Sequence, residues 1–410
     1  MASHLHSFFP SSPFIILALV LAFVPAFVHA LTLESDIETL RALIQSLDPN
    51  SFPSTSYLKT WDFNTDPCET SVGFLGILCS VTANTSASRI IAIELDGVGY
   101  EGYLTPAIGN LTELTALDLS NNRFRGPLPH TIANLEKLSK LNLSGNYFTG
   151  GIPSDITNIK TLELIDLSTN HLSGSIPADL SLIRRLLYLS LSNNQFSGRI
   201  PNLSGLWRLH TLMLDHNVLY GNIPQLPISL RTLSLANNFI SGHITPVERI
   251  TELRILDLNN NRLSGEIKEE ILTLPQVNRI NVSFNEFTVI SVNTSTGRVS
   301  QLRELDAQGN LLHGHLPVRL VTYENLRAIN LAQNRFTGSI PSEYGAKLGR
   351  PWRRLFLDNN FLTGSIPLEF YKVKIRGSLA MNCLKCPTSI ELCHGGQQPA
   401  SDCAAANNSQ

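Results

Sequence analysis

Between residues 90 and 367 the apolar positions return on a fixed beat. In Leu114 to Gly126 (LTALDLSNNRFRG) the skeleton is L-x-x-L-x-L-x-x-N-x-F-x-G, followed by Leu128-Pro129. It recurs at Leu138 to Gly150, Leu162 to Gly174 and Leu186 to Gly198, each time followed by one variable residue and Ile-Pro, so the period is 24 residues. The alternation within L-x-L predicts a short strand whose leucines point inward while the residues between them face out. One unit cannot bury its own leucines. Stacked at about 4.8 Å, the units close a continuous core behind a parallel sheet. The asparagine that ends each strand brings two donors and an acceptor to backbone groups left unpaired by the bend, so its recurrence predicts a ladder.

The ladder positions are Asn122, Asn146, Asn170, Asn194, Asn217, Asn238, Asn261, Asn285, Asn310, Asn334 and Asn360. An atypical first unit (RIIAIELDGVGYEGYLTP) has Val98 at that place, which makes about twelve repeats. The pattern breaks most at three places: 21 residues separate Asn217 from Asn238, 26 separate Asn334 from Asn360, and no Gly-x-Ile-Pro lies between Asn285 and Asn310. Such breaks predict drift on the convex side, changed curvature or protruding loops. Ahead of the repeats, LTLESDIETLRALIQSL predicts a helix capped by Ser35 or Asp36, with Leu40, Ile44 and Leu47 on one face. This block should cover the leucines of the first unit.

Both ends differ from the middle. Pro13 to Ala30 is uncharged and apolar and closes on Val28-His29-Ala30, which predicts a secretory signal over residues 1–30. The remainder divides into an N-terminal cap (31–89), the repeats (90–376) and a Cys-rich cap and tail (377–410). All six cysteines flank the repeats: Cys68 and Cys79 before, Cys383, Cys386, Cys393 and Cys403 after. That placement predicts disulfide-stapled caps, with three pairings open to the last four. Asparagine acceptor triplets at Asn84, Asn110, Asn142, Asn202, Asn281, Asn293 and Asn407 suit a secreted chain. No second apolar run follows the signal, so no membrane span is expected after its cleavage, and a soluble extracellular product is. Lys plus Arg number 31 against 33 acidic residues, which excludes a global field for nucleic acid and makes any electrostatic recognition local.

The 24-residue L-x-x-L-x-L-x-x-N-x-L-x-G-x-I-P pattern resembles the plant-type extracellular leucine-rich repeat. Asp66-Pro67-Cys68 and Gly76 to Cys79 (GILC) resemble the N-terminal cap of plant receptor kinases and receptor-like proteins, with Phe74 where a tryptophan is usual; GSLAMNCLKCP from Gly377 resembles the C-terminal cap. The resemblance implies an α/β solenoid: a right-handed superhelix with a concave parallel sheet, a second small sheet near Gly-x-Ile-Pro, and 3-10 turns on the convex side.

No G-x-S-x-G, H-E-x-x-H or Walker A motif occurs, and the neighbouring His210, Asp215 and His216 read as solvated sheet residues, so neither an enzyme nor a cofactor is expected. Twelve strands span on the order of 53 Å, room for an extended peptide of about 16 residues. The outward positions are acidic in the N-terminal half (Glu94, Asp96, Asp118, Asp166, Asp215) and basic in the C-terminal half (Arg231, Arg254, Arg279, Arg303, Arg327, Arg353, Arg354). Asp257 and Asp306 are the expected local partners of those arginines; otherwise an anionic ligand group is. The family's carboxylate-binding Arg-x-Arg pair is matched in no repeat. Tyr188 and Met213 are candidate apolar contacts on the same face, and Phe356 also points outward, with shelter under the C-terminal cap as its expected place. The expected function is extracellular recognition of a peptide or protein, in a receptor-like or co-receptor role, with a receptor-kinase ectodomain as one partner. The alternative is a wall protein resembling polygalacturonase inhibitors, with a secreted hydrolase or pectic polysaccharide as partner.

Overall fold

The computed structural model describes residues 31–69, 73–81, 87–292, 300–387 and 389–403; the signal segment and the triplets at Asn84, Asn293 and Asn407 lie outside them. A 14-stranded sheet runs through the repeats. Strand Ile77–Val81 pairs antiparallel with Ser88–Glu94, and from there each coil adds one three-residue parallel strand, down to Arg376–Ser378. Leu117, Leu141, Leu189, Leu212 and Leu233, the middle residues of such strands, are fully buried, as the two-residue alternation requires. Five-residue 3-10 helices such as His130–Asn134 close the convex side.

Each ladder asparagine joins its own coil to the preceding one. Asn146 Nδ2 donates to the carbonyl oxygens of Leu119 (2.9 Å) and Leu143 (3.1 Å), while its Oδ1 accepts from Phe124 N–H (2.9 Å). The residue just before it turns the chain through the left-handed region, at φ 57° in Asn121 and 65° in Gly145. The ladder continues past Asn360: Asn382 is fully buried, donates to Leu357 O (3.0 Å) and accepts from Leu362 N–H (3.1 Å). Around Asn382 two apolar positions of the repeat are taken by Lys374 and Gly377, so the motif is broken there in sequence.

The irregular spacings leave the 14-stranded sheet continuous and act elsewhere. The second sheet is divided into nine strands ending at Glu286–Ser291 and four beginning at His313–His315, and the division falls where Gly-x-Ile-Pro is missing. In the longest coil Trp352 stands eight residues before Asn360, where the other coils have an apolar residue, and it is fully buried, with its ring edge-on to Tyr344 at 4.8 Å. The short coil after Asn217 returns from Val218–Asn222 to Thr232–Ser234 without a helical turn.

At the N-terminus the helix Glu34–Gln45 forms, but neither Ser35 nor Asp36 caps it; Leu33 holds the cap position with no side-chain bond. Asp36 lies a turn too far in. It is buried and accepts instead from Arg89 Nε (3.0 Å) and Ile90 N–H (3.0 Å), tying the helix to the first parallel strand. Leu40, Leu43 and Leu47 make the buried face, with Ile44 at its margin. Phe74 stacks on Trp61 at 5.5 Å. The cysteines pair as Cys68–Cys79, Cys383–Cys403 and Cys386–Cys393.

Candidate functional site on the concave face

Parallel pairing places equivalent residues of successive coils in straight columns. In the N-terminal half the acidic positions are answered from within the protein. Lys140 Nζ lies 3.0 Å from Asp118 and 3.3 Å from Glu94, and Asn142 Nδ2 donates to Asp118 at 2.9 Å. Burial alone would raise the Asp118 carboxyl, but hydrogen bonds from Ser120, Lys140 and Asn142 hold it below the usual range. Asp96 accepts from Tyr100 of the first unit, and Asp215 from Ser192 Oγ at 2.7 Å. Tyr188 reaches Asp166 at 3.5 Å and Met213 at 3.9 Å. Its phenol is pushed up by burial and by the Asp166 charge.

The C-terminal half is different. Arg254 N–H donates to Arg231 O, Asn278 to Arg254, Arg303 to Asn278, Arg327 to Arg303 and Arg353 to Arg327, all at 2.8–2.9 Å, so these residues form one register-locked column. Their side chains are exposed, apart from half-buried Asn278, and among the described residues none of the five arginines has a carboxylate in ion-pair range. The anticipated partners are turned away. Asp257 accepts from Asn259 Nδ2 (2.6 Å), and Asp306 from Gln308 N–H (3.1 Å) and Asn330 Nδ2 (3.2 Å). A carboxylate three residues after the column position sits on the floor, where the neighbouring turn binds it first. His210 continues the column toward the N-terminus; burial, then Arg231 and Arg208, lower its pKa.

Beside the column lies a depression of ≈ 270 Å³. Two register columns build it: Arg279, Glu304, Ala328, Arg354 and Arg376 on one side, Asn281, Asp306, Asn330 and Phe356 on the other. Glu304 is gripped from both directions, by Arg354 at 2.5 Å and Arg279 at 3.8 Å. Arg354 spans the small Ala328 between them, and that missing side chain opens the floor. Burial pushes the Asp306 carboxyl up.

The structure thus brings Arg279, Asp306 and Phe356 together and sets the column from Arg231 to Arg353 alongside them. Phe356 is half-buried and lines the depression, where shelter under the cap was expected. Asp118, Asp166, Tyr188, Met213 and Asp215 belong to the self-satisfied half. Glu304, Ala328, Asn330 and Arg376 were not singled out from sequence, since only the register shows which residues share a wall. His216 contacts Asn237 at 3.1 Å while Asp215 holds Ser192, so these two neighbouring residues have separate partners. Asn110 and Asn202 are exposed, whereas Asn142 and Asn281 are half-buried on the concave face.

The Leucine Rich Repeat family profile matches residues 113–135, 137–159, 161–182, 185–206, 252–274 and 325–346. Among solved structures, the plant peptide hormone receptor RGFR1 in complex with RGF2 matches at 27% identity with a TM-score of 0.59, covering 72% of this chain and 54% of that one. The chain carries leucine-rich repeats and is similar in fold to this plant peptide hormone receptor. PEPR1 with AtPEP1 matches this leucine-rich repeat protein at 25% identity and a TM-score of 0.51, covering 86% of the chain and 59% of PEPR1. A TDR receptor matches at 27% and 0.51, covering 70% and 58%. The protein therefore spans 54–59% of the length of these receptor chains. No curated protein matches it by sequence. No helix among its described residues is long and apolar enough to cross a membrane.

Proposed function

We propose that this leucine-rich repeat protein is a non-enzymatic extracellular recognition module that seats a peptide, or a segment of a partner protein, on the C-terminal half of its concave face. The observation that carries this reading is the contrast between the two halves: acidic groups near Asp118 are satisfied by the protein itself, whereas the column arginines Arg231, Arg254, Arg303, Arg327 and Arg353 have no carboxylate in ion-pair range among the described residues. A surface that leaves exposed guanidinium groups unanswered next to a depression holding Phe356 supplies charge, hydrogen bonding and an apolar anchor together. The peptide complexes formed by two of the similar receptors support the same use of the fold. The role is receptor-like or co-receptor, outside the cell, with a receptor-kinase ectodomain or a secreted protein as partner.

A photo-reactive residue at Ala328 of the secreted protein, compared with one at Tyr220 on the exposed second sheet, tests the reading. Cross-linking to a discrete peptide or protein from Ala328 but not Tyr220 supports it. Cross-linking from Tyr220 alone overturns it.

A further inference from the structure

We propose that the arginine column takes an extended acidic peptide segment of about seven residues, laid along the solenoid axis across the strands. This rests on the recognition reading and narrows it to a ligand chemistry.

Five guanidinium groups are carried by six consecutive coils, and the backbone bonds between successive column residues prevent them from spreading apart along the sheet. Like charges in adjacent strands repel, and the carboxylates of the strands beside the column are already committed: Asp257 to Asn259, Asp306 to Asn330 and Glu304 to Arg354 and Arg279. Relief must come from outside. From Arg231 to Arg353 five strand spacings of about 4.8 Å cover on the order of 24 Å, the length of about seven extended residues. An extended chain turns alternate side chains to one side, so about four carboxylates would meet the five arginines, and Asn278, the neutral step, offers hydrogen bonds to the ligand backbone. The flank of the column favours a peptide over a uniform polyanion. Ile255, Ala328 and Phe356 lie beside the arginines and suit apolar side chains interspersed with acidic ones. At the column's end His210 has its pKa lowered first by burial and then by Arg231 and Arg208, with Glu252 acting the other way.

The test is fluorescence anisotropy of the secreted protein with a fluorescein-labelled (Glu-Ala)4 peptide blocked as its C-terminal amide, so that a terminal carboxylate plays no part. The Glu peptide should bind at least tenfold more tightly than its Gln counterpart at about 50 mM salt, and several-fold more weakly by about 200 mM. Arg303→Glu with Arg327→Glu should abolish binding, and the milder Arg303→Gln with Arg327→Gln should weaken it, while Arg262→Glu on the second sheet should leave it intact. Equal binding of the Gln peptide overturns the inference, as does indifference to the column substitutions. Tighter binding of polygalacturonate than of the Glu peptide overturns its peptide specificity. If the acidic peptide fails while Ala328 still cross-links a partner, the inference falls and the recognition reading stands.

Discussion

Replacing Asn285 by alanine removes one rung from the middle of the ladder. Its Nδ2 donates to Leu258 O (3.0 Å) and Val282 O (3.2 Å), and its Oδ1 accepts from Leu263 N–H (2.9 Å). Leu258 and Leu263 are fully buried, so water does not replace the lost partner. An orphaned buried backbone group costs roughly 1–3 kcal/mol, and two of them, one donor and one acceptor of the preceding coil, put the loss at roughly 2–6 kcal/mol. Coils touch only their neighbours, so damage at one step should also uncouple the two sides and split unfolding into two transitions. Guanidinium unfolding in a Trp207→Phe background reads this out, since Trp61 and Trp352 are buried at opposite ends. Amide exchange at Leu263 provides the local measure. Asn285→Asp should be no better: a carboxylate keeps the acceptor for Leu263 but turns lone pairs toward the carbonyl oxygens. A variant within about 0.5 kcal/mol of the parent, with Leu263 protection unchanged, would refute the ladder's energetic role.

At the C-terminus, the Cys383–Cys403 bridge closes 20 residues of chain. Replacing both by serine should lower the cap's stability by about 3 kcal/mol, read as faster amide exchange at Leu384 with the central coils unaffected. In the first repeat unit, burial and the hydrogen bond to Asp96 push the Tyr100 phenol up to about 12. Its folded pKa exceeds the unfolded value of about 10, so its contribution is whole below pH 10 and is lost as pH rises through 12; Tyr100→Phe should remove that alkaline loss in unfolding scans followed by phenolate absorbance. Finally, Arg231→Ala takes a positive charge from beside His210, whose pKa burial and both arginines lower, and should raise that pKa in an NMR titration. An unchanged value would show that burial alone sets it.

Much of the architecture was legible in the one-dimensional pattern. Leucines spaced for a strand, an asparagine closing it and a glycine after the bend are local requirements that each coil must meet for itself, so they appear as a period. The cap helix was legible for the same reason, although its terminus was not. Asp36 looks like a cap along the chain, but its real partner, Arg89, is 53 residues away. Phe74 in a tryptophan's place and the buried Trp352 are likewise settled by the rings they meet, Trp61 and Tyr344.

The candidate site divides along the same line. Sequence alone determined that the concave face would be acidic toward one end and basic toward the other, because outward positions follow from the alternation. Only the tertiary structure decided which charges remain available. Asp118 is neutralised by Lys140, one coil on, and Asp306 is turned to Asn330, while Glu304 is clasped by Arg354 at a separation of 50 residues. A partner's reach across strands depends on register and on gaps such as Ala328, and neither is encoded in any single repeat. Composition sets the charges; stacking decides which of them are left for a ligand.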